Sequence, residues 1–284
     1  MFNILVTGSK GQLGSEIQVL SDSYDYKFFF TGKEELDITN KESLRQYVDL
    51  NDINVVINCS AYTAVDKAEA EEGLANLVNH IAVVNLAELA KEREFKLIHV
   101  STDYVFDGRG FKPYLEDEIT NPQNVYGKTK LDGEKGLLRV DPDNSVIIRT
   151  SWVYSSFGNN FVKTMIRLGQ ERDHIKVIDD QIGSPTYARD LAQTILEMLA
   201  KLDHEGVEVF HYNNEGVCSW YDFATAIMEI KGINCKVYPQ LTKDYPTPAI
   251  RPHYSVLNKY KVKETFNITI PYWRDSLRSC LDLM

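Results

Sequence analysis

Tyr126 and Lys130 stand four residues apart in Y-G-K-T-K, and at that spacing a phenol and an amine share one face of an α-helix. They make a proton-transfer pair. A tyrosine ordinarily keeps its proton to about pH 10, and a neighbouring ammonium favours the phenolate and brings proton exchange nearer neutrality. The same two residues also suit a solvated helix surface, so their meaning depends on their company. That company begins at the N-terminus, where the uncharged run 2–7 leads directly into Gly8-Ser9-Lys10-Gly11-Gln12-Leu13-Gly14. Strand, glycine turn and helix in that order suit a dinucleotide. Gly8 permits a tight turn, Gly11 lets backbone N–H groups approach a pyrophosphate, and Gly14 lets the next helix pack closely. The spacing G-x-x-G-x-x-G is a variant of the usual G-x-G-x-x-G fingerprint.

Holding these groups together takes a sheet. Runs 26–31, 55–60, 96–101 and 145–150 read as further strands, and Leu74, Leu77, Val78, Ile81, Val84 and Leu89 recur near helical spacing between two of them. The alternation predicts an α/β fold: a Rossmann-like, doubly wound parallel sheet with ligands at the C-terminal strand ends. Those ends carry polar residues. After the second strand Lys33 stands where an acid would take a ribose 2′-hydroxyl; a cation there suits a 2′-phosphate, and equally a solvated loop. Asp37, followed by Ile38, reads either as an acceptor for an adenine amine or as a helix cap. The strand ending at Ser101 and Thr102 places a hydroxyl beside the expected nicotinamide.

Composition bounds the rest. The chain has 284 residues, a net charge of -10 and a pI near 5.2, which argues against nucleic acid or an anionic membrane as partner. Cys59, Cys218, Cys235 and Cys280 lie far apart, with no C-x-x-C pair to suggest zinc or redox chemistry. The N-terminus lacks the pattern of a signal peptide, and no apolar run approaches the roughly 20 residues of a bilayer span, so the expected location is the cytoplasm. Motif order predicts a dinucleotide-binding domain from 1–150 with a returning segment at about 170–203. A smaller α/β substrate-binding lobe would then come from about 151–169 and 204–284.

With the segments assembled, the sequence resembles the extended short-chain dehydrogenase/reductase family, and within it the dTDP-4-dehydrorhamnose reductase branch, over essentially its whole length. V-T-G-S-K-G-Q-L-G (6–14) and Y-G-K-T-K (126–130) are shared by the wider family. More specific to the branch are A-Y-T-A-V-D-K-A-E (61–69), R-T-S-W-V-Y (149–154) and D-Q-I-G-S-P-T (180–186). The resemblance implies reduction of the 4-keto group of dTDP-6-deoxy-L-lyxo-4-hexulose to dTDP-L-rhamnose by NADPH or NADH. Tyr126 would be the general acid, Lys130 would lower its pKa and hold the nicotinamide ribose, and Thr102 would hydrogen-bond the keto oxygen. The cofactor contacts so implied are Gly8, Gly11, Gln12, Leu13, Gly14, Asp37, Ile38, Ala61 and Thr63, with Tyr126 and Lys130. The substrate contacts are Val65, Asp103, Tyr104, Trp152, Asn160, Phe161 and Arg251, the last toward the diphosphate.

Two departures matter. Some relatives join two subunits through Mg²⁺ held by carboxylates near the first helix and in an E-D pair; here Glu16 matches the first, but the pair reads Arg189, Asp190. A guanidinium repels Mg²⁺, so a monomer or a dimer without a metal bridge is expected, with Arg189 free to pair with Glu16. Second, a 4,6-dehydratase would carry Glu directly after Thr-Asp, where this chain has Tyr104. A 4-epimerase that retains NAD and a binding module without catalysis are the other readings open at this stage.

Overall fold

The computed structural model describes residues 2–284. β1 (Asn3–Thr7), β2 (Lys27–Thr31), β3 (Val55–Asn58), β4 (Lys96–Thr102) and β5 (Ser145–Thr150) join a sixth strand, Val207–His211. All six run parallel, in the order Val207–His211, β5, β4, β3, β1, β2. Every residue of β3 and β5 is buried, as a sheet covered on both faces requires. Leu13, Ile17, Leu191, Ile195 and Phe266 cover one face; Leu44, Val48, Leu86 and Leu137 cover the other. The strand order reverses between β1 and β3, which opens a crevice at their C-terminal ends.

A second core lies apart from the sheet. Phe161–Glu171, Trp220–Lys231 and Trp273–Leu281 are its helices, and Tyr154, Val162, Phe223, Ile227 and Leu277 fill it. Ser219 and Asp222 form a reciprocal capping box that starts the middle helix.

The sheet departs from the expected division of the chain in two places. Val207–His211, expected in the substrate lobe, pairs with β5 and covers its edge, so that β5 does not end the sheet. His174–Ile178, expected in the nucleotide domain, instead pairs with Lys236–Gln240 as a separate ribbon. The helix Ala188–Leu199 does return to the sheet, through Leu191, Ile195 and Leu199.

The expected long crossover helix is present, but of the apolar residues that marked it only Leu89 is fully buried. It spans Glu72–Arg93 but carries a π turn at Leu77–Ile81, and a π turn shifts the helical register. Ala75, Asn79, Ala82, Val83 and Leu86 are buried, while Leu74, Leu77 and Ile81 are exposed; Leu74 and Ala75 precede the π turn and take these sides before the register shifts. By length and composition this helix could cross a bilayer; here its inner face packs on the sheet. At the π turn it meets the helix Val125–Val140 across Gly133, where an added Cβ would lie 2.1 Å from the Asn79 carbonyl oxygen. Gly133→Ala is expected to destabilise the protein by about 1–3 kcal/mol through overpacking, measurable as a lowered midpoint in urea unfolding. An unchanged midpoint would mean that the two helices separate freely.

Candidate active site

The glycine loop closes on the end of β3. Gly8 has φ +63°, and a Cβ on it would fall 2.8 Å from the Ser60 amide nitrogen, while one on Gly14 would fall 2.6 Å from the Gly8 carbonyl oxygen. Neither position tolerates a side chain, whereas Gly11 lines a cavity and faces open space apart from Gly8. The crowding at Gly14 is with the loop itself, not with the sheet beneath.

Two cavities meet at Gly11, Cys59 and Ala61. The first, about 550 Å³, is lined by Gln12, Leu13, Thr63, Val65, Thr102, Asp103, Tyr104, Tyr126, Lys130, Trp152 and Asn160. The second, about 410 Å³, is lined by Gly8, Lys33, Asp37 and Ile38. Together they form one trough along the C-terminal edge of the sheet, with room for an extended dinucleotide and, at the Trp152 end, a further ligand. The cradle fits such a cofactor, because Gly11 presents bare backbone where the two cavities join. Lys33 makes no ion pair among the described residues, since Glu34 and Glu35 are both held by Lys10. Asp37 accepts from both the backbone and the hydroxyl of Thr39, which holds its carboxyl below the usual range.

Asn124 starts the helix that carries the proton-transfer pair by accepting from Gly127 N at 2.7 Å. Tyr126 sits edge-on to Tyr104, ring centroids 5.4 Å apart. Burial pushes its phenol up to about 12, partly offset by a hydrogen bond with Thr102. The expected lowering by Lys130 is absent. The lysine points to β4 instead, donating to the Val100 carbonyl at 2.6 Å, and burial brings its own pKa down to about 8. Thr102 Oγ1 donates to Asp103 Oδ1 at 3.0 Å. Burial raises the Asp103 carboxyl to about 7, and its other oxygen has no partner. A buried carboxyl with a spare oxygen in a cavity is suited to a ligand hydroxyl.

The substrate-side expectations divide. Trp152, at φ +50°, lies flat on Trp220 with centroids 3.6 Å apart and lines the first cavity. Asn160 caps the helix Phe161–Glu171 and donates to Gln12 Oε1 at 2.9 Å, tying this lobe to the glycine loop. Phe161 packs on Trp220 and, with Arg251, lines a neighbouring cavity of about 520 Å³ rather than the first. Arg251 makes a two-pronged pair with Asp66, at 3.0 and 2.7 Å. The direct pair between Arg189 and Glu16 is present at 2.8 Å, with Ser155 on the other carboxylate oxygen; Asp190 is taken by Asn214 and Ser276.

Behind the pair lies a polar layer that the sequence analysis missed: His99, Glu134 and Arg149. His99 interrupts the apolar stretch L-I-H-V of one strand and Arg149 directly follows V-I-I in the other, and a chargeable side chain at a buried strand position is the signal that could have found them. Trp220 was missed too, since no local pattern tells that it stacks on a tryptophan 68 positions earlier.

Residues 2–284 match the family model described as the RmlD substrate binding domain. The chain belongs to this family. It is 41% identical to the dTDP-4-dehydrorhamnose reductase of Aggregatibacter actinomycetemcomitans, over 98% of each chain. Among solved structures, the Clostridium acetobutylicum dTDP-4-dehydrorhamnose reductase superposes with a TM-score of 0.94 at 43% identity, covering 99% of both chains. That of Bacillus anthracis, in complex with NADP, gives 0.95 at 36% identity and covers both chains fully. The family is thus one of nucleotide-sugar reductases on a Rossmann-like fold, and this trough lies at that fold's dinucleotide crevice.

Proposed function

We propose that this protein is an NADPH-dependent oxidoreductase that reduces the 4-keto group of dTDP-4-dehydro-L-rhamnose (dTDP-6-deoxy-L-lyxo-4-hexulose) to dTDP-L-rhamnose in the cytoplasm. The observation that carries the reading is the convergence of Thr102, Tyr126 and Lys130 in one cavity continuous with the glycine cradle. NADPH supplies the hydride to C4. Tyr126 gives its proton to the oxygen at C4, and a phenol held protonated by burial is suited to an acid's role at neutral pH. Thr102 hydrogen-bonds the same oxygen as charge develops on it. Lys130 holds the nicotinamide ribose and, turned from Val100, lowers the phenol's pKa.

Gly8, Gly11, Gln12, Leu13 and Gly14 hold the pyrophosphate, Asp37 and Ile38 the adenosine, and Ala61 and Thr63 the middle of the cofactor. The position of Lys33 in the adenosine cavity favours NADPH over NADH. Trp152 offers its flat face to the CH surface of the deoxysugar, with Asp103, Tyr104 and Val65 around the ring and Asn160 and Phe161 beyond it. Arg251 reaches the diphosphate on leaving Asp66. The Arg189–Glu16 pair supports a monomer or a dimer without a metal bridge.

The test uses purified protein with dTDP-glucose pre-treated with the upstream dehydratase and epimerase, following NADPH and NADH consumption. Rapid oxidation that requires the epimerase, faster with NADPH, is expected. Oxidation that does not need the epimerase would replace the sugar named here with another 4-keto sugar.

A further inference from the structure

A buried polar chain behind Lys130 is left unused by the roles above. His99 on β4 is 0% exposed. Its Nδ1 lies 3.1 Å from Asn58 Nδ2 and its Nε2 lies 3.3 Å from Lys130 Nζ.

The direction of this chain is fixed from its far end. The backbone N–H of Ser60 can only donate, and it lies 3.2 Å from Asn58 Oδ1, which also accepts from Thr7 Oγ1 at 2.7 Å. That atom is therefore the amide oxygen, and the amide nitrogen faces His99. Because the nitrogen donates, Nδ1 must accept and carries no proton. A neutral imidazole has one N–H, so in His99 it sits on Nε2 and points at Lys130 Nζ. An ammonium has three donors and no acceptor and would set N–H against N–H; an amine offers a lone pair. Lys130 spends a donor on the Val100 carbonyl, which leaves that lone pair for His99.

We propose that His99 is a positioning residue for Lys130: its Nε2–H, oriented by Ser60, Thr7 and Asn58, holds the lysine against β4 and favours its amine form over the ammonium until the cofactor draws it away. The inference rests on reading Lys130 as the lysine that meets the nicotinamide ribose. On turning toward the ribose, Nζ loses the donor that favours the amine and takes up a proton from solvent through the open cavity. One of the other titratable groups around it opposes the amine. Glu134, one turn on along the same helix, pulls the lysine toward its charged form, yet it is committed to Arg149 and Ser101. Tyr126 lies on the same helix, held protonated by burial, and Asp103 lies beyond Thr102. His99 itself is held neutral by burial.

Two measurements on the cofactor-free protein test this. Long-range ¹H–¹⁵N correlation spectra distinguish imidazole tautomers, and His99 is assigned by its loss in His99→Leu. The Nε2–H form is expected at neutral pH; the Nδ1–H form or a doubly protonated ring would overturn the proposal. The second is a titration of ¹³Cε-labelled lysine, with Lys130 assigned by Lys130→Met. Asn58→Asp gives Nδ1 an acceptor, reverses the tautomer and turns the Nε2 lone pair toward Lys130. The lysine midpoint should rise by about one pH unit or more, and by less than half as much when His99→Leu is also present. Equal rises with and without His99 would show a plain charge effect and overturn the proposal. Should Asn58→Asp not fold, the wild-type tautomer still decides. Neither measurement uses sugar or cofactor, so both stand whatever becomes of the functional reading.

Discussion

Tyr126→Phe is expected to lower kcat about 10²–10⁴-fold while leaving NADPH binding and the sugar KM within a few-fold of wild type. The phenyl ring keeps its edge-on contact with Tyr104, so the shape of the cavity survives and only the proton is lost. Fluorescence titration with NADPH, run beside steady-state kinetics, separates the two effects. A kcat within tenfold of wild type would remove the tyrosine from the chemistry. The proton would then have to come from Asp103, whose carboxyl is raised to about 7 and which Thr102 joins directly to the expected position of the keto oxygen.

Arg149→Met is expected to have the largest effect on stability. Arg149 and Glu134 are 5% and 1% exposed at the side chain, and the guanidinium meets both carboxylate oxygens while also donating to the Glu116 carbonyl at 3.0 Å. Methionine fills much of the space but leaves the Glu134 carboxylate buried with only Ser101 as donor. Breaking one side of such a pair costs about 3–5 kcal/mol, a fall in Tm of roughly 6–20 °C for a chain of this size. Because most of that cost is the stranded charge rather than a lost attraction, Arg149→Met combined with Glu134→Leu should recover much of it. A double variant as unstable as the single one would place the cost in packing instead.

The sequence made legible what local pattern carries. The glycine turn after an uncharged strand, the Tyr-x-x-x-Lys helix and the five strands through β5 lie where their residues predict, and the residues expected around the cofactor, Gly14 excepted, line two adjoining cavities. What was not legible depends on partners distant in sequence. The expected division puts Val207–His211 in the substrate lobe, because nothing within V-E-V-F-H says that its neighbour is β5. The buried face of the helix Glu72–Arg93 could not be read from apolar spacing, because a π turn has no periodicity signal and because Asn79, a polar residue, is buried by bonds to Tyr62 and Thr129. The spacing of Tyr126 and Lys130 established a shared helix face but not where Nζ goes; His99 and Val100, from another element, compete for it.

The two hydrophobic cores are sewn together by one thread. The chain leaves the sheet after β5 to build Tyr154, Val162 and Ile175 into the second core, returns with Leu191 to Phe210, leaves again for Phe223 and Ile227, comes back with Val262 and Phe266, and ends in the second core at Leu277. No single crossover point in a gene of this kind separates a cofactor half from a sugar half. Recombination between relatives would tear both cores at once, so new sugar preferences in such a lineage must accumulate by substitution along the trough rather than arrive as an exchanged module.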